Sequence, residues 1–190
     1  LAARHFGWQV LASDIDQGAL QHAARLLGQH QLSTKIELRQ QAKAQDIFDH
    51  LLQAGEYIDV SLCNPPFHRS AEEAAAGSSR KRENLGLSSD AAALNFAGLS
   101  HELWCDGGEA AFIRLMIEES QSYAQQVLWF SSLVSKQENV PALQLQLNKL
   151  GAQHQLLDMQ QGNKQSRILA WSFMPDKQRQ LWAQFRWQKK

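Results

Sequence analysis

The alternation of short apolar runs with helical repeats is the strongest constraint this sequence places on its fold. Residues 8–13 are apolar and end on Asp14, as a short buried strand would. Residues 18–27 place Leu20, Ala23, Ala24 and Leu27 on one helical face, and Gly28 predicts the stop. Residues 36–39 alternate as a strand. Residues 46–52 align Ile47, Phe48, Leu51 and Leu52, which predicts a short helix closing near Gly55, and residues 58–63 read as a further strand. The pattern dissolves over 68–101, apart from a helical turn or two at 71–76; a connection that long is uncommon unless it is functional or mobile. It resumes with a helix over 108–120 carrying Phe112, Ile113, Met116 and Ile117 on one side, a strand over 126–134, and a helix over 142–150 ended by Gly151. Residues 154–159 and 167–173 flank a turn at 161–164 and predict an antiparallel hairpin. Strands alternating with helices imply an α/β fold, a mostly parallel sheet with helices on both faces, here finished by the hairpin. No internal repeat or linker interrupts it, so residues 1–190 are expected to form a single domain.

Composition narrows the classes. The chain has 190 residues, 44% of them hydrophobic and 20% charged, which suits a globular core. Lys plus Arg and Asp plus Glu both number 19, so any attraction to phosphate must be local. Cys63 and Cys105 form no CxxC pair and no disulfide framework, so neither a metal site nor a secreted scaffold is expected, and a cytoplasmic location fits. No apolar stretch approaches the ~20 residues of a membrane span. The first residues, Leu1-Ala2-Ala3-Arg4-His5, are no signal peptide and lack an initiator Met, so the chain is expected to begin inside a longer protein.

The chemistry centres on Asn64-Pro65-Pro66-Phe67, directly after the strand at 58–63. Ligands bind at the carboxyl edge of open α/β sheets. Two successive prolines fix the backbone and remove two N–H donors, so the loop presents carbonyl oxygens. Such a loop suits the gripping of a planar exocyclic amine, whose lone pair is delocalised into its ring. The Asn64 side-chain oxygen and the Pro65 carbonyl would accept its two hydrogens and aim the lone pair at a methyl group, by positioning and electrostatics and not by a strong base. Phe67 would stack on the flat base, which must be unpaired or flipped. A rigid strand-to-loop turn is the alternative, and for Asn-Pro alone it would be preferred.

Asp14, at the end of the first strand, is placed to accept hydrogen bonds from ribose hydroxyls. Asp16 precedes a helix and is assigned to its N-cap. A Gly-rich turn should precede this strand by one helix, but no GxG occurs in the sequence. The domain is therefore expected to lack its first strand and that turn, with residues 1–6 as the tail of the intervening helix.

Several stretches together resemble one family. They are Leu62-Cys63-Asn64-Pro65-Pro66-Phe67-His68, Arg80-Lys81-Arg82-Glu83-Asn84-Leu85-Gly86, Leu94-Asn95-Phe96, the segment from Glu102 to Glu109 through Gly107-Gly108, Trp129 to Ser135, and Gly162-Asn163-Lys164-Gln165-Ser166-Arg167. They resemble the ribosomal RNA large subunit methyltransferase F family, 23S rRNA adenine-N6 methyltransferases related to the eukaryotic methyltransferase-like enzymes of U6 small nuclear RNA. The resemblance covers nearly the whole chain. It implies a class I (Rossmann-like) methyltransferase fold, S-adenosyl-L-methionine as donor, and an adenine of 23S rRNA, free or in a large-subunit assembly intermediate, as acceptor. It carries catalysis onto Asn64, Pro65, Pro66 and Phe67. It carries cofactor contact onto Asp14, onto Ala44 and Gln45 in the turn after the 36–39 strand, and onto Asn64 near the donor's amino acid end. The family's N-terminal RNA-binding segment, first strand and Gly-rich turn have no counterpart here.

Arg80, Lys81 and Arg82 read equally as a solvated cluster or as phosphate contacts, and the resemblance favours RNA. Lys164 and Arg167 beside the hairpin turn are further candidates to face substrate, although exposed turns are often basic for solubility alone, and His68 is a candidate substrate contact. Gly107-Gly108-Glu109 reads as a tight helix entry with a favourable first-turn acid, or alternatively as a wall of the active site. Trp182, Phe185 and Trp187 are expected to pack, not to stack on bases. The competing functions are a protein glutamine-N5 methyltransferase, a DNA adenine methyltransferase, and a non-catalytic RNA-binding fragment.

Overall fold

The computed structural model describes residues 1–43, 46–70, 72–73, 104–161 and 164–187. The chain divides into two compact units, Leu1–Glu56 and Tyr57–Lys190.

In the first unit, α1 (Ala2–His5) leads into β1 (Val10–Asp14), α2 (Gln17–Gln29) and β2 (Ile36–Gln40). β1 and β2 pair in parallel, from Val10 opposite Ile36 to Asp14 opposite Gln40. A right-handed crossover helix is the ordinary means of joining parallel neighbours, and α2 supplies it. Asp16 starts that helix as expected, its Oδ1 accepting the Ala19 N–H at 2.6 Å.

The helix expected over 46–52 does not form; the segment is a series of turns. His50 takes a left-handed φ of 61°, which an α-helix excludes. Side chains from β2 and its exit instead bond carbonyls of this segment. Gln41 Nε2 donates to the Asp49 carbonyl at 3.1 Å, and Arg39 Nη1 donates to the Leu51 carbonyl at 2.5 Å. Phe48 still buries its ring. Phe48 therefore met the core without helical backbone, while Ile47, Leu51 and Leu52 are half-buried.

Arg39 closes this segment with a fork. Nη1 donates to Glu56 Oε2 at 2.6 Å and Nη2 to Oε1 at 2.5 Å, while Nε reaches Glu37 at 2.7 Å.

The second unit holds one four-stranded sheet in the order β3-β4-β6-β5. β3 (Ile58–Val60) runs parallel to β4 (Val127–Val134); β6 (Lys164–Ser172) is antiparallel to both β4 and β5 (Gln153–Gln161). β4 is central and buried on both faces, so its sequence is almost continuously apolar, whereas β5 is the exposed edge. α3 (Gly108–Ser120), with the bounds expected, presents Ile113, Met116, Ile117 and Ser120 inward at helical spacing. Ser120 Oγ accepts the indole N–H of buried Trp171 at 3.0 Å, and that indole stacks on Phe130, centroids 5.8 Å apart. α4 (Val140–Lys149) adds Leu143 and Leu147 to the same core.

α5 (Asp176–Arg186) corrects one expectation. Trp182 and Trp187 donate their indole N–H groups to Asp59 Oδ1 at 2.6 and 3.0 Å, and Arg186 Nε reaches the same oxygen at 3.1 Å. Burial alone would raise the Asp59 carboxyl, but these donors together hold it below its ordinary value. Phe185 does not pack; it is 80% exposed. Among the described residues no helix is long and apolar enough to cross a membrane.

The Arg39 fork sets a pH dependence. Its hydrogen bonds, helped by one from the Gln53 N–H, pull the Glu56 carboxyl from 4.5 to about 2. A depressed carboxyl stabilises the fold fully above its unfolded value and loses that contribution as pH falls through the folded value. Glu56→Gln should lower the melting temperature by a constant amount from pH 7 to about 4.5, and the gap to wild type should close as pH approaches 2. A gap unchanged at pH 2 would show that the ion pair carries no stability.

Candidate acceptor site at the carboxyl edge of β3

Residues beyond β3 stay in register with β4 as far as Cys63. The Ser61 N–H donates to the Trp129 carbonyl at 2.9 Å, the Cys63 N–H to the Ser131 carbonyl at 3.1 Å, and the Leu133 N–H to the Cys63 carbonyl at 2.9 Å. Cys63 forms a parallel bridge opposite Ser132. The ladder cannot continue, because Pro65 and Pro66 have no N–H to give it. Asn64 is thus released at the edge of the sheet.

Asn64 is exposed, while Pro65 beside it is buried and Pro66, Phe67 and His68 are half-buried. Among the described residues the Asn64 amide has no hydrogen-bond partner. A cleft of about 340 Å³ opens here, lined by Leu62, Cys63, Asn64, Ser131, Leu133 and Ile168. Its walls are apolar apart from the Asn64 amide and the Ser131 hydroxyl, and Ser131 Oγ already donates to the Ser61 carbonyl at 2.7 Å. Burial pushes the Cys63 thiol up to about 11, against a hydrogen bond from Ser132, so it is a neutral wall at physiological pH.

The far end of the motif is fixed as well. His68 pairs with Trp104 in a parallel bridge, and its carbonyl accepts the Cys105 N–H at 3.1 Å. Two successive left-handed glycines follow, Gly107 at φ 77° and Gly108 at φ 66°. A Cβ on Gly108 would lie 2.8 Å from Arg69 Cγ and 3.4 Å from its backbone nitrogen. The helix α3 therefore abuts the segment just beyond the motif. Glu109 is 2% exposed and accepts the N–H groups of Ser135 at 2.6 Å and Lys136 at 3.2 Å, and the Asn139 amide at 2.7 Å.

In the first unit Asp14 ends β1. Its Oδ1 accepts the Asp16 N–H at 2.8 Å, and Oδ2 has no partner among the described residues. Ala44, Gln45, Arg80, Lys81 and Arg82 lie outside the described residues. Lys164 opens β6 opposite Gln161. Arg167 is 9% exposed and donates to Gln137 Oε1 at 2.8 Å. The expectation that Arg167 faces substrate is therefore corrected: it is buried and turned to Gln137. Sequence reasoning underrated Glu109. The available signal was an acid directly after Gly-Gly at a helix start.

A parallel strand that ends on Asn-Pro-Pro-Phe, beside a core strand and an antiparallel hairpin, belongs to a class I, Rossmann-like methyltransferase fold. The catalytic domain of human METTL16, solved in complex with a MAT2A 3'UTR hairpin, superposes over 92% of this chain and 59% of its own, with a TM-score of 0.72 at 24% identity. The N-terminal domain of human METTL16 in complex with SAH superposes over 92% of this chain and 55% of its own, with a TM-score of 0.66 at 23% identity. A family model described as RNA methyltransferase matches residues 1–175. Ribosomal RNA large subunit methyltransferase F of Ectopseudomonas mendocina is 51% identical over 187 residues, covering 96% of this chain and 56% of that protein. The chain belongs to the ribosomal RNA large subunit methyltransferase F family of RNA methyltransferases, and spans little more than half the length of the curated relatives it matches.

The Gly108 contact can be isolated from backbone strain. Gly151 shares the left-handed conformation, at φ 69°, but has nothing within 4 Å of its would-be Cβ. Gly151→Ala should cost roughly 1 kcal/mol in urea unfolding, the strain alone. Gly108→Ala should cost at least about twice as much, since the Arg69 Cγ at 2.8 Å must also move. Equal costs would mean that α3 does not set the position of the motif's end.

Proposed function

We propose that the protein carrying this sequence is an S-adenosylmethionine-dependent enzyme that methylates N6 of a specific adenine in 23S rRNA, free or within a large-subunit assembly intermediate, in the cytoplasm. On this reading residues 1–190 belong to one methyltransferase domain. The observation that carries it is the release of Asn64, exposed and unpartnered among the described residues, over an apolar-walled cleft immediately before two prolines. The names of the family's members support the rRNA target, and the SAH complex of METTL16 supports the donor.

The donor's residues fit a nucleoside. Asp14 sits at a parallel strand's carboxyl end with one oxygen committed to the Asp16 N–H and the other without a described partner, the disposition expected for a ribose hydroxyl. Ala44 and Gln45 are proposed to flank the donor's adenine. When bound, the donor supplies an electrophilic methyl on a sulfonium; the adenine nitrogen takes it as the carbon–sulfur bond breaks, S-adenosylhomocysteine leaves, and the amine proton passes to water.

The chain's own groups position the acceptor. Asn64 Oδ1 and the Pro65 carbonyl accept the two amine hydrogens, which turns the nitrogen lone pair toward the methyl carbon. Phe67 stacks on the adenine face, and the apolar cleft keeps these few hydrogen bonds free of competing water. Arg80, Lys81, Arg82 and Lys164 are proposed to contact RNA phosphates, positioning the strand without reading sequence.

Asn64→Ala tests the proposal. Methyl transfer to 23S rRNA should fall at least about 100-fold, with donor affinity by calorimetry unchanged within a few-fold, because the lost interaction acts mainly in the transition state. Mapping the product on the RNA identifies the methylated atom. Undiminished turnover would remove Asn64 from the mechanism, and transfer to a glutamine side chain or to DNA in place of RNA would replace the substrate.

A further inference from the structure

Glu109 makes hydrogen bonds that its place in the helix does not require. An acid in a first helical turn is stabilising when exposed to solvent, but this carboxylate is 2% exposed. Removing a carboxylate from water costs several kcal/mol unless donors replace the water. The replacements all come from one short segment, residues 135–139, through two backbone N–H groups and the Asn139 amide.

Helix capping does not explain the arrangement. Asn139 occupies the N-cap of α4, where Asn ordinarily accepts from the helix's own N–H groups, yet it makes no such bond. Its amide is turned to Glu109. A second charged side chain from a different element grips the same segment: Arg167, on β6, holds Gln137. Opposite charges, each at least nine-tenths buried as residues, thus fix four of the five positions Ser135, Lys136, Gln137, Glu138 and Asn139.

The location gives that rigidity a use. β3 and β4 are parallel, so the segment leaving β4 emerges at the edge where Asn64 emerges, two residues past the Leu133–Cys63 hydrogen bond. Lys136 also approaches Glu73, beyond the motif, with Nζ 4.0 Å from its carboxylate.

We infer that residues 135–139 form a fixed wall of the acceptor site beside Asn64, held by Glu109 and Arg167 as positioning residues. This deepens the function proposed above and rests on its placing the acceptor at Asn64. Methyl transfer needs the amine, the methyl carbon and the sulfur in line, and a misplacement of ~1 Å costs about 100-fold in rate. Glu109 and Arg167 do not touch the acceptor. They keep the wall from yielding when a base enters.

Three variants of the active enzyme test this. Glu109→Gln turns an amide against a donor. Gln137→Ala cuts the Arg167 tether at an exposed residue and leaves the core intact. Adding Asn139→Asp to Glu109→Gln restores a donor–acceptor pair in reverse. The expected result is a kcat at least tenfold lower for Glu109→Gln and severalfold lower for Gln137→Ala. Donor affinity should stay within about twofold, amide hydrogen exchange should quicken over 135–139, and the double variant should recover much of the rate. If Glu109→Gln unfolds, Gln137→Ala alone decides. Faster exchange with unchanged kcat overturns the wall while leaving the adenine target standing. A methyl found on another RNA atom overturns that target, and the same rate ratios then judge the wall on the actual product. A wild type without methyl transfer overturns both.

Discussion

The parallel ladder between residues 58–63 and β4 is the constraint on which the candidate acceptor site depends. Its last hydrogen bond, from the Leu133 N–H to the Cys63 carbonyl, fixes where Asn64 begins. Side chains alternate along a strand, so a slip of one residue would turn Asn64 to the opposite face. Two features guard against that slip. Ser131 Oγ cross-ties to the Ser61 carbonyl, and Pro65 and Pro66 cannot take a place in a shifted ladder. The prolines define where the ladder ends.

β4 changes character along its length, from a core strand to a wall of the site. Val127, Leu128 and Phe130 are buried, and Phe130 stacks on Trp171. From Ser131 onward the strand carries two buried hydroxyls and then runs into the segment held by Glu109. Buried polar groups specify geometry when every member is satisfied, because each alternative arrangement leaves one unpaired. The apolar half of β4 stabilises the second unit, and the polar half determines where its last residues lie.

The order of elements was legible because long segments carry unambiguous periods. α3 matched its expected bounds, and the hairpin matched in position and sense. The 46–52 segment was not legible. Its four apolar positions fit a helix as well as a sequence can, but His50 at positive φ is a tertiary event that no local period reports. The end of the ladder at Asn64 was legible since the two prolines act through their own backbone. Glu109 was not, because its importance lies in burial and in three donors some 26 to 30 residues away. Phe185 shows the converse error: a helical spacing that suggested packing leaves an exposed ring.

The proximity of Cys63 to Asn64 raises a question of selectivity that the fold itself answers. A thiolate is a far stronger nucleophile than a conjugated amine, and one beside a sulfonium methyl would be methylated first. Cys63 lines the same cleft as Asn64. Burial raises its thiol to about 11, so at neutral pH it stays protonated. A thiol in that state is an apolar surface. On the proposed function, the cleft would combine an apolar wall with an amide and a carbonyl that grip two hydrogens, and the nucleophile would be left for the substrate to supply.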